Sequence, residues 1–435
     1  MAIRSVAAAL SVALLLAACG DDGGATSSGD AGETAPGGQT GQEVSDMPEV
    51  KADLARVNAP ADAPVDEVAA GLRGFAVELA GQTPATDNLV VSPASIAVAF
   101  AMAEAGADDA TAADIAELFG FPDQPAVHEA MNALTAALEA ANHPGADQGS
   151  EGVTLELANS LWGQEGSEFG AEFLDTLATH YGAGVRPVDF AGDPDGARRT
   201  INAWVADATR DRVPELLRSV DPGTVVALVN AIYLKASWQV PFAEETTTDA
   251  PFTLADGTTV EVPTMQAAAL YVSADDGDGY QAVQLPYDGN ELSMVVIVPD
   301  EGTALADFEA GLDGDRLTAI LRGLEPSAVD LALPRFDTAT ELDLGEALTA
   351  LGLPVPGGDL RGIVPGAGID QAVHAANITV DEKGTEAAAA TAVMGVVSAP
   401  TDVLPVTVDR PFLFVVQHDA TGTPLFYGRI TDPRG

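Results

Sequence analysis

The feature that most constrains this chain is a run of fifteen residues near its C-terminus, 387–401, without a single Asp, Glu, Lys, Arg or His. The first proline in the run is Pro400. A strand in a globular protein is usually shorter than this, and a membrane-spanning helix is longer and more apolar. In a chain with a formal net charge of −47, such a run indicates a strand that pairs with other strands in a sheet.

The acidic surface restricts the partners that this chain can bind. Its 435 residues, 47% of them hydrophobic, suffice for a large packed core. The chain has only three lysines: Lys51, Lys235 and Lys383. Such a surface repels phosphates and sulfated polymers, so we expect a monomer with neither nucleic acid nor heparin as a partner. The acidic stretch 275–279 lacks the ligand pattern of an EF-hand and predicts a turn, so we expect no metal and no cofactor.

The N-terminus has the features of an export signal. Arg4 precedes an apolar stretch at 6–18, and the motif Leu16-Ala17-Ala18-Cys19 resembles the lipobox of bacterial lipoproteins. That resemblance implies that residues 1–18 are a signal peptide and that Cys19 is lipidated. The mature chain would then contact a membrane only through its lipid anchor, on the outer face of the bacterial cytoplasmic membrane. If released, it would be extracellular. An ordinary secretory signal with a chance cysteine is the alternative.

Cys19 is also the only cysteine, which excludes intramolecular disulfides, thiol catalysis and cysteine metal sites. Residues 19–64 are poor in apolar side chains at their start and predict a flexible tether, followed by one large α+β domain at 65–435. A hairpin is predicted around Asp288-Gly289-Asn290. The pattern predicts helices over 66–80, from Pro93 behind an N-cap at Ser92, and over 108–119, 125–141, 168–181 and 196–210. It predicts strands over 152–161, 224–236 and 258–265, and mostly strands after 326.

The chain contains no local signature of an enzyme. It has no nucleophile elbow, no His-Glu-x-x-His, no phosphate-binding loop and no dinucleotide fingerprint. Its histidines are too dispersed to indicate a metal cluster: His128, His143, His180, His374 and His418. A triad assembled from distant residues stays open, because triads are defined in space. We therefore expect a protein that is not an enzyme and keep a hydrolase as a third class of function.

Six blocks of sequence stand out between about residue 66 and 435. They are "NLVVSPASIAVAFAMAEAGADDATAADIAELFG" at 88–120, "INAWVADATRDRVPELL" at 201–217, "VVALVNAIYLKASWQVPF" at 225–242, "HAANITVDEKGTEAAAAT" at 374–391, "VTVDRPFLFVV" at 406–416 and "TPLFYGRITDP" at 423–433. In this order and at this spacing, the six blocks resemble the serpin family. The resemblance implies an α+β serpin fold with three β-sheets, about nine helices and an exposed reactive-centre loop. It also implies a suicide inhibitor: a protease attacks the loop, an acyl-enzyme forms, and the cleaved loop inserts into the main sheet.

The charge-free run has the pattern that such an insertion requires. Side chains of a strand alternate between two faces, and counting from Thr385 the inward set contains only small or β-branched residues. Those residues are Thr385, Ala387, Ala389, Thr391, Val393, Gly395 and Val397, while Glu386 points outward. Taken alone, "GTEAAAATAV" also suits a helix with Thr385 as its N-cap. The resemblance assigns the hinge to Glu382, Gly384, Thr385, Glu386, Ala387, Ala388, Ala389, Ala390 and Thr391.

The resemblance also places a polar gate where the main sheet opens. It assigns Ser92, Ser95, Asn230 and His374 to that gate and puts Trp238 near the point where the loop first enters. Taken singly, the serines are capping or packing residues, and Asn230 and His374 are satisfied core residues. Buried polar groups with two satisfied arrangements suit a gate, which is the interpretation that we prefer.

The family pattern places the attacked bond between Ser398 and Ala399, and Val397 or Ala399 stays open as the attacked residue instead of Ser398. All three side chains are small and suit a shallow S1 pocket rather than an acidic pocket for Arg or Lys. We therefore expect an elastase-like or subtilisin-like serine protease as the target, with a cysteine protease less favoured. The alternative function is that of a non-inhibitory serpin, a binding or chaperone-like protein on the same scaffold.

Overall fold

The computed structural model describes residues 47–145, 150–386 and 402–435. Nine α-helices lie within these ranges: α1 (Val65–Gly81), α2 (Pro93–Glu104), α3 (Asp109–Phe119), α4 (Ala126–Ala140), α5 (Ala171–Thr176), α6 (Pro194–Ala208), α7 (Leu305–Ala310), α8 (Gly314–Gly323) and α9 (Gly345–Ala350). A π-helical turn, Leu177–Tyr181, continues α5, and a 3-10 turn covers Glu244–Thr246. None of the helices in the described ranges is both long enough and apolar enough to cross a membrane.

Fifteen strands in the same ranges form two sheets. The strands are β1 (Leu89–Val91), β2 (Val153–Gln164), β3 (Val185–Val188), β4 (Val226–Ser237), β5 (Thr248–Thr253), β6 (Thr259–Gly277), β7 (Tyr280–Pro286), β8 (Leu292–Pro299), β9 (Glu325–Pro334), β10 (Phe336–Asp343), β11 (Gln371–Asp381), β12 (Gly384–Thr385), β13 (Leu404–Thr407), β14 (Phe412–His418) and β15 (Thr423–Ile430). A six-stranded sheet has the order β10-β11-β12-β4-β2-β3. A nine-stranded sheet has the order β1-β15-β14-β8-β7-β6-β9-β13, with β5 paired to β6. The predicted α+β class is confirmed.

Helix α2 occupies the interior between the two sheets. Ser92 caps it, since its hydroxyl accepts a hydrogen bond from the Ser95 N–H at 3.2 Å, and Pro93 takes the first helical position, where a missing N–H costs nothing. Every residue of α2 is buried, as expected of a helix that is apolar on all sides. The helix packs on β2 and β4 of the six-stranded sheet and on β15 of the nine-stranded sheet.

The outer face of the six-stranded sheet is covered by helix α6. Trp204 of α6 meets Trp162 of β2 edge-on, with ring centroids 5.9 Å apart. Ala231 of β4 and Ala375 of β11 lie in the same apolar cluster. This layer is separate from the main core, and it lies over the part of the sheet in which β4 and β11 are directly paired.

The resemblance implies three sheets. In this structure two of the three are joined into the single nine-stranded sheet. The nineteen residues of β6 run through both, pairing with β5 at one end and with β7 at the other. An irregularity between Ala267 and Leu270 bends the strand between these two halves. Because β9 follows β6 on both sides of the bend, hydrogen bonding joins the two halves into one sheet.

Several element boundaries differ from those predicted. The hairpin around Asp288-Gly289-Asn290 forms as expected between β7 and β8, whereas β6 extends well beyond the predicted 258–265 because it serves two partners. The predicted boundary at residue 65 does not separate a tether from the domain. Val50 exchanges backbone hydrogen bonds with Val185, and Arg56 contacts Asn132 of α4 at 2.7 Å.

Candidate functional site

The end of β11 is anchored to the other sheet by Glu382. This side chain is 3% exposed, and its carboxylate accepts hydrogen bonds from Arg335, at 2.8 Å from Nε, and from the Thr247 hydroxyl. Burial alone would raise the pKa of Glu382, but the bonds from Arg335 and Thr247 outweigh it and hold the pKa below its usual value. The backbone carbonyl of Glu382 also accepts from the Phe242 N–H at 2.8 Å. The chain therefore leaves β11 from a fixed point.

Strand β12, Gly384–Thr385, lies between β11 and β4. Thr385 pairs antiparallel with Val380 on one side and with Ala236 on the other. Gly384 has a φ of +148°, and a Cβ added there would lie 2.0 Å from the carbonyl oxygen of Ala236. A residue without a side chain is required at this close approach. The first two residues after the bend at Lys383 thus already occupy a position in the sheet.

The side chain of Thr385 is held by a buried aromatic pair. The Thr385 hydroxyl and the Tyr287 hydroxyl are 2.6 Å apart, and both residues are at most 1% exposed. The Trp238 ring stacks on the Tyr287 ring at 4.6 Å with an interplanar angle of 7°. The Trp238 Nε1–H donates to the Asp381 carbonyl at 2.9 Å. Burial raises the pKa of Tyr287 well above its ordinary value, so this hydroxyl stays neutral.

Four polar residues assigned to the gate lie together behind the sheet. The Ser92 N–H donates to His374 Nε2 at 3.0 Å, and His374 Nδ1 lies 2.6 Å from Asn230 Oδ1. Because an N–H can only donate, Nε2 is the acceptor and the ring proton sits on Nδ1, from which it bonds Asn230. Burial lowers the pKa of His374 to about 3, so the imidazole is neutral. The Ser95 hydroxyl bonds Asn159 Oδ1 at 3.1 Å, which adds a residue of β2 to the cluster.

Strands β11 and β4 form a fork whose closed end contains this cluster. They pair directly and in parallel where 371–375 lie beside 227–231, and His374 is opposite Asn230 in that ladder. At the other end β12 separates the same two strands. At one end of the fork, β12 therefore lies between β11 and β4 as a third strand. At the other end, β11 and β4 pair directly with each other.

The register of the fork is the same at both ends. Val380 and Ala236, the two partners of Thr385, are 144 positions apart (380 − 236). Gln371 and Ala227, which pair directly, are also 144 positions apart (371 − 227). Strands β11 and β4 would therefore need to move apart only sideways, without sliding along each other, to admit a longer β12. A shift by even one residue would invert the faces of the strand.

Glu386 is held by a contact that sequence patterns do not predict. Its carboxylate accepts from Arg212 Nε at 2.9 Å and from Arg212 Nη2 at 2.6 Å. Its φ is +54°, and the connection after α6 contains two further residues with positive φ, Arg210 and Asp211. A strand cannot continue through a left-handed residue, so the strand ends at Thr385 in this state. Arg212 and Glu386 are 174 residues apart, and no local motif links them.

The structure brings together the four residues that the resemblance assigns to the gate: Ser92, Ser95, Asn230 and His374. At the open end of the fork lie Glu382, Gly384, Thr385, Glu386 and Trp238. Sequence reasoning missed Asn159, Tyr287 and Arg212. The remaining predicted positions lie outside the described residues: Cys19, Ala387, Ala388, Ala389, Ala390, Thr391, Val397, Ser398 and Ala399. Among the described residues, no group of His, Cys, Asp or Glu has the arrangement to hold a metal ion.

Comparison with known proteins gives one consistent family. A family model described as serpin (serine protease inhibitor) matches residues 70–433. The leukocyte elastase inhibitor of Homo sapiens is 36% identical over 362 residues, covering 80% of this chain and 93% of that protein. An uncharacterised serpin-like protein of Thermococcus kodakarensis is 34% identical over 367 residues, covering 82% of this chain and 83% of that protein. The native state of tengpin, a thermophilic serpin, matches with a TM-score of 0.76 at 24% identity, over 88% of this chain and 97% of that one. The expected fold is confirmed.

Proposed function

This chain belongs to the serpin family, and from that premise we propose that it inhibits serine proteases as a suicide substrate rather than acting as an enzyme. The observation that carries the proposal is the fork between β11 and β4, which holds Gly384–Thr385 as a strand at its open end. Exposed edges and open slots in a sheet are sites for strand addition. Here the chain that follows the slot is the run without charge or early proline.

The first step is attack on the loop. The target's serine would attack the carbonyl carbon at the predicted bond between Ser398 and Ala399, or after Val397. The amine of the next residue leaves, and the N-terminal part of the loop becomes an ester of the protease. This ester remains only if the loop moves before water hydrolyses it. The small side chains at these positions support an elastase-like or subtilisin-like target, and a relative whose name is leukocyte elastase inhibitor supports the same class.

The second step is extension of β12 into the fork. In unchanged register Met394 would reach Gln371 and Ala227, and Thr391 would reach the level of His374 and Asn230. For this, Glu386 must leave its left-handed conformation, and α6 must give way on the outer face. The inserted residues that face inward are small, so the core can take them without overpacking.

The energetics favour insertion once the loop is cut. The parallel ladder of five residue pairs between β11 and β4 is lost, while an inserted strand of ten residues pairs on both sides. The net gain is on the order of ten hydrogen bonds at about 1 kcal/mol each. That is comparable with the whole stability of a typical domain. The uncleaved form is then a metastable state kept by a kinetic barrier.

We extend the proposal to the location of the chain. The lipobox-like motif that ends at Cys19 supports a bacterial lipoprotein that holds the inhibitor at the outer face of the cytoplasmic membrane. Replacing Cys19 with Ser should move the protein from the membrane fraction to the medium and abolish labelling by radioactive palmitate. Persistence of the label in Cys19→Ser would contradict the anchor.

The test of function compares the full chain with two variants at one position. Incubation with elastase or subtilisin should give a complex that survives denaturing electrophoresis, and incubation with trypsin should not. In Thr385→Arg a guanidinium replaces a side chain that is 1% exposed, so insertion is blocked and the protein should be cut as a substrate. Thr385→Ser keeps the hydroxyl next to Tyr287 and should inhibit like the parent.

Each possible result decides a separate part of the proposal. Unchanged inhibition by Thr385→Arg would contradict strand insertion. A stable complex with trypsin alone would contradict the predicted specificity. Cleavage of the parent chain without any complex would favour the alternative of a non-inhibitory serpin with a binding or chaperone-like role.

A further inference from the structure

We propose that an exposed apolar surface centred on Tyr271, next to the first described residues after the predicted reactive loop, docks the body of the target protease. The inference rests on the proposed function, because it takes the attacking protease as the occupant. We call this area the Tyr271 surface: Tyr271, Val240, Pro326, Val403 and Pro405.

Tyr271 is the most solvent-exposed large hydrophobic side chain in the described ranges, at 75%. It stands on β6 directly after the irregularity between Ala267 and Leu270. Ala269 in this bulge has a φ of +50°, and its N–H donates to Asp330 Oδ1 at 2.8 Å. Bulges re-aim side chains and recur next to functional sites. An isolated exposed aromatic would need no explanation, but this one is flanked by two hollows.

The two hollows make the surface continuous. On one side Tyr271 lines a small hollow together with Val240, itself 36% exposed, and Pro286. On the other side it lines a wide open hollow of about 610 Å³ with Pro326 and residues 402–405. Strand pairing fixes this arrangement, because Tyr271 is opposite Ala328 on β9, and β13 follows on the far side of β9. The surface thus extends to the first described residues after the loop.

The length of the intervening chain makes the protease the occupant. From the predicted bond at Ser398 to Asp402 there are four residues, which span at most about 14 Å when fully extended. A protease of about 200 residues has a radius of gyration of about 16 Å. A protease whose active site holds that bond therefore has its surface within about 14 Å of Asp402, which lines the same hollow as Tyr271. Every encounter that leads to cleavage brings its surface to this place.

The charges around the surface define the kind of protease that fits. Two exposed carboxylates lie beside it: Asp330, which accepts from the Ala269 N–H, and Asp402, which lines the wide hollow. Within the described residues neither forms an ion pair. The whole chain has 66 acidic and 19 basic side chains, so the long-range field adds to this local one. An apolar centre with an acidic rim is complementary to a protease with apolar residues ringed by Lys and Arg. Such pairing mainly accelerates association and makes it sensitive to salt.

The experiment measures the second-order rate constant for association with a panel of elastase-like and subtilisin-like proteases of different net charge. Tyr271→Ala should lower this rate constant about tenfold, as expected for an aromatic hot spot, and Tyr271→Phe should stay within about twofold. Asp402→Lys should lower it for basic proteases and flatten its dependence on ionic strength. Leu54→Ala removes another exposed apolar side chain, 47% exposed, from the segment that packs on β3 and α4, and should have no effect.

The outcomes separate this inference from the proposed function. If Tyr271→Ala forms complexes as fast as the parent chain, the docking surface is wrong and inhibition stands. If the parent chain is cut without forming a complex, inhibition is wrong, and a tenfold slower cleavage of Tyr271→Ala would still support docking. Equal cleavage rates in that case would contradict both, as would a panel in which no protease attacks the chain.

Discussion

Replacing Thr391 with Val should destabilise the cleaved, inserted form of this chain and leave the intact form unchanged. In the register of the fork Thr391 arrives between His374 and Asn230. These two residues are now joined by a hydrogen bond of 2.6 Å. An inserted strand separates their backbones by two strand spacings, about 9.5 Å, so the bond must break.

The hydroxyl of Thr391 is positioned to replace that bond. It would accept from the Nδ1–H of His374 and donate to Oδ1 of Asn230, which keeps both buried groups satisfied. Valine has nearly the same shape but no hydroxyl, so both groups would be left unpaired. Each unpaired buried group costs about 1–3 kcal/mol, so the two groups together give a loss of about 2–6 kcal/mol in the cleaved form. In the intact form His374 and Asn230 bond each other directly, so we expect a change below about 0.5 kcal/mol there.

The assay is guanidinium unfolding of both forms of three proteins: the parent, Thr391→Val and Thr391→Ser. Serine keeps the hydroxyl, so its cleaved form should unfold close to the parent midpoint. Thr391→Val should also raise the number of inhibitor molecules consumed per protease, because slower insertion lets more acyl-enzyme hydrolyse. If cleaved Thr391→Val resists guanidinium as well as cleaved Thr391→Ser, the register of insertion derived from the fork is refuted.

Three further predictions concern other parts of the chain. Glu104 is 3% exposed, and burial raises its pKa from 4.5 to about 7. The free energy of unfolding should therefore fall by about 3 kcal/mol as pH rises through this interval. Urea unfolding of Glu104→Gln should lack this fall. Arg335→Ala leaves the buried carboxylate of Glu382 without its cation. The free energy of unfolding should fall by about 2 kcal/mol at pH 7 and by less at pH 3, where protonated Glu382 needs no cation. An equal loss at both pH values would contradict the pairing. Arg212→Ala frees the partly exposed Glu386 and should speed loop insertion by no more than about fivefold, because such a pair contributes at most about 1 kcal/mol. Trp fluorescence after mixing with protease measures this rate, and slower insertion would contradict the restraining role.

Sequence patterns predicted the local parts of this structure and the order of its elements. Ser92 before Pro93 marks the start of α2, and the strand-like segments around Asp288-Gly289-Asn290 pair as a hairpin. These signals depend on neighbours in the sequence, so a single chain contains them. Family resemblance pointed to a cluster of Ser92 with His374, 282 positions away, where the N–H of Ser92 meets the ring of His374.

Contacts between distant segments were beyond local patterns. Arg212 and Glu386 are in contact because the connection after α6 lies beside the hinge. No local sequence pattern in either segment predicts this contact. Tyr287 directly follows β7, yet its hydroxyl contacts the hydroxyl of Thr385, 98 positions later. The resemblance indicated that the main sheet opens, but the register of the fork was beyond local patterns, since it depends on how two strands far apart in the sequence pair with each other.

The most direct test of the account is the resistance of the intact and the nicked protein to heat. The protein is cut once in the segment 387–401 by a protease that does not remain bound, and both forms are then melted under the same conditions. Insertion into the fork predicts that the nicked form melts well above the intact form. A nicked form that melts at or below the temperature of the intact form would contradict the central claim that this fold stores free energy and releases it by taking up its own loop.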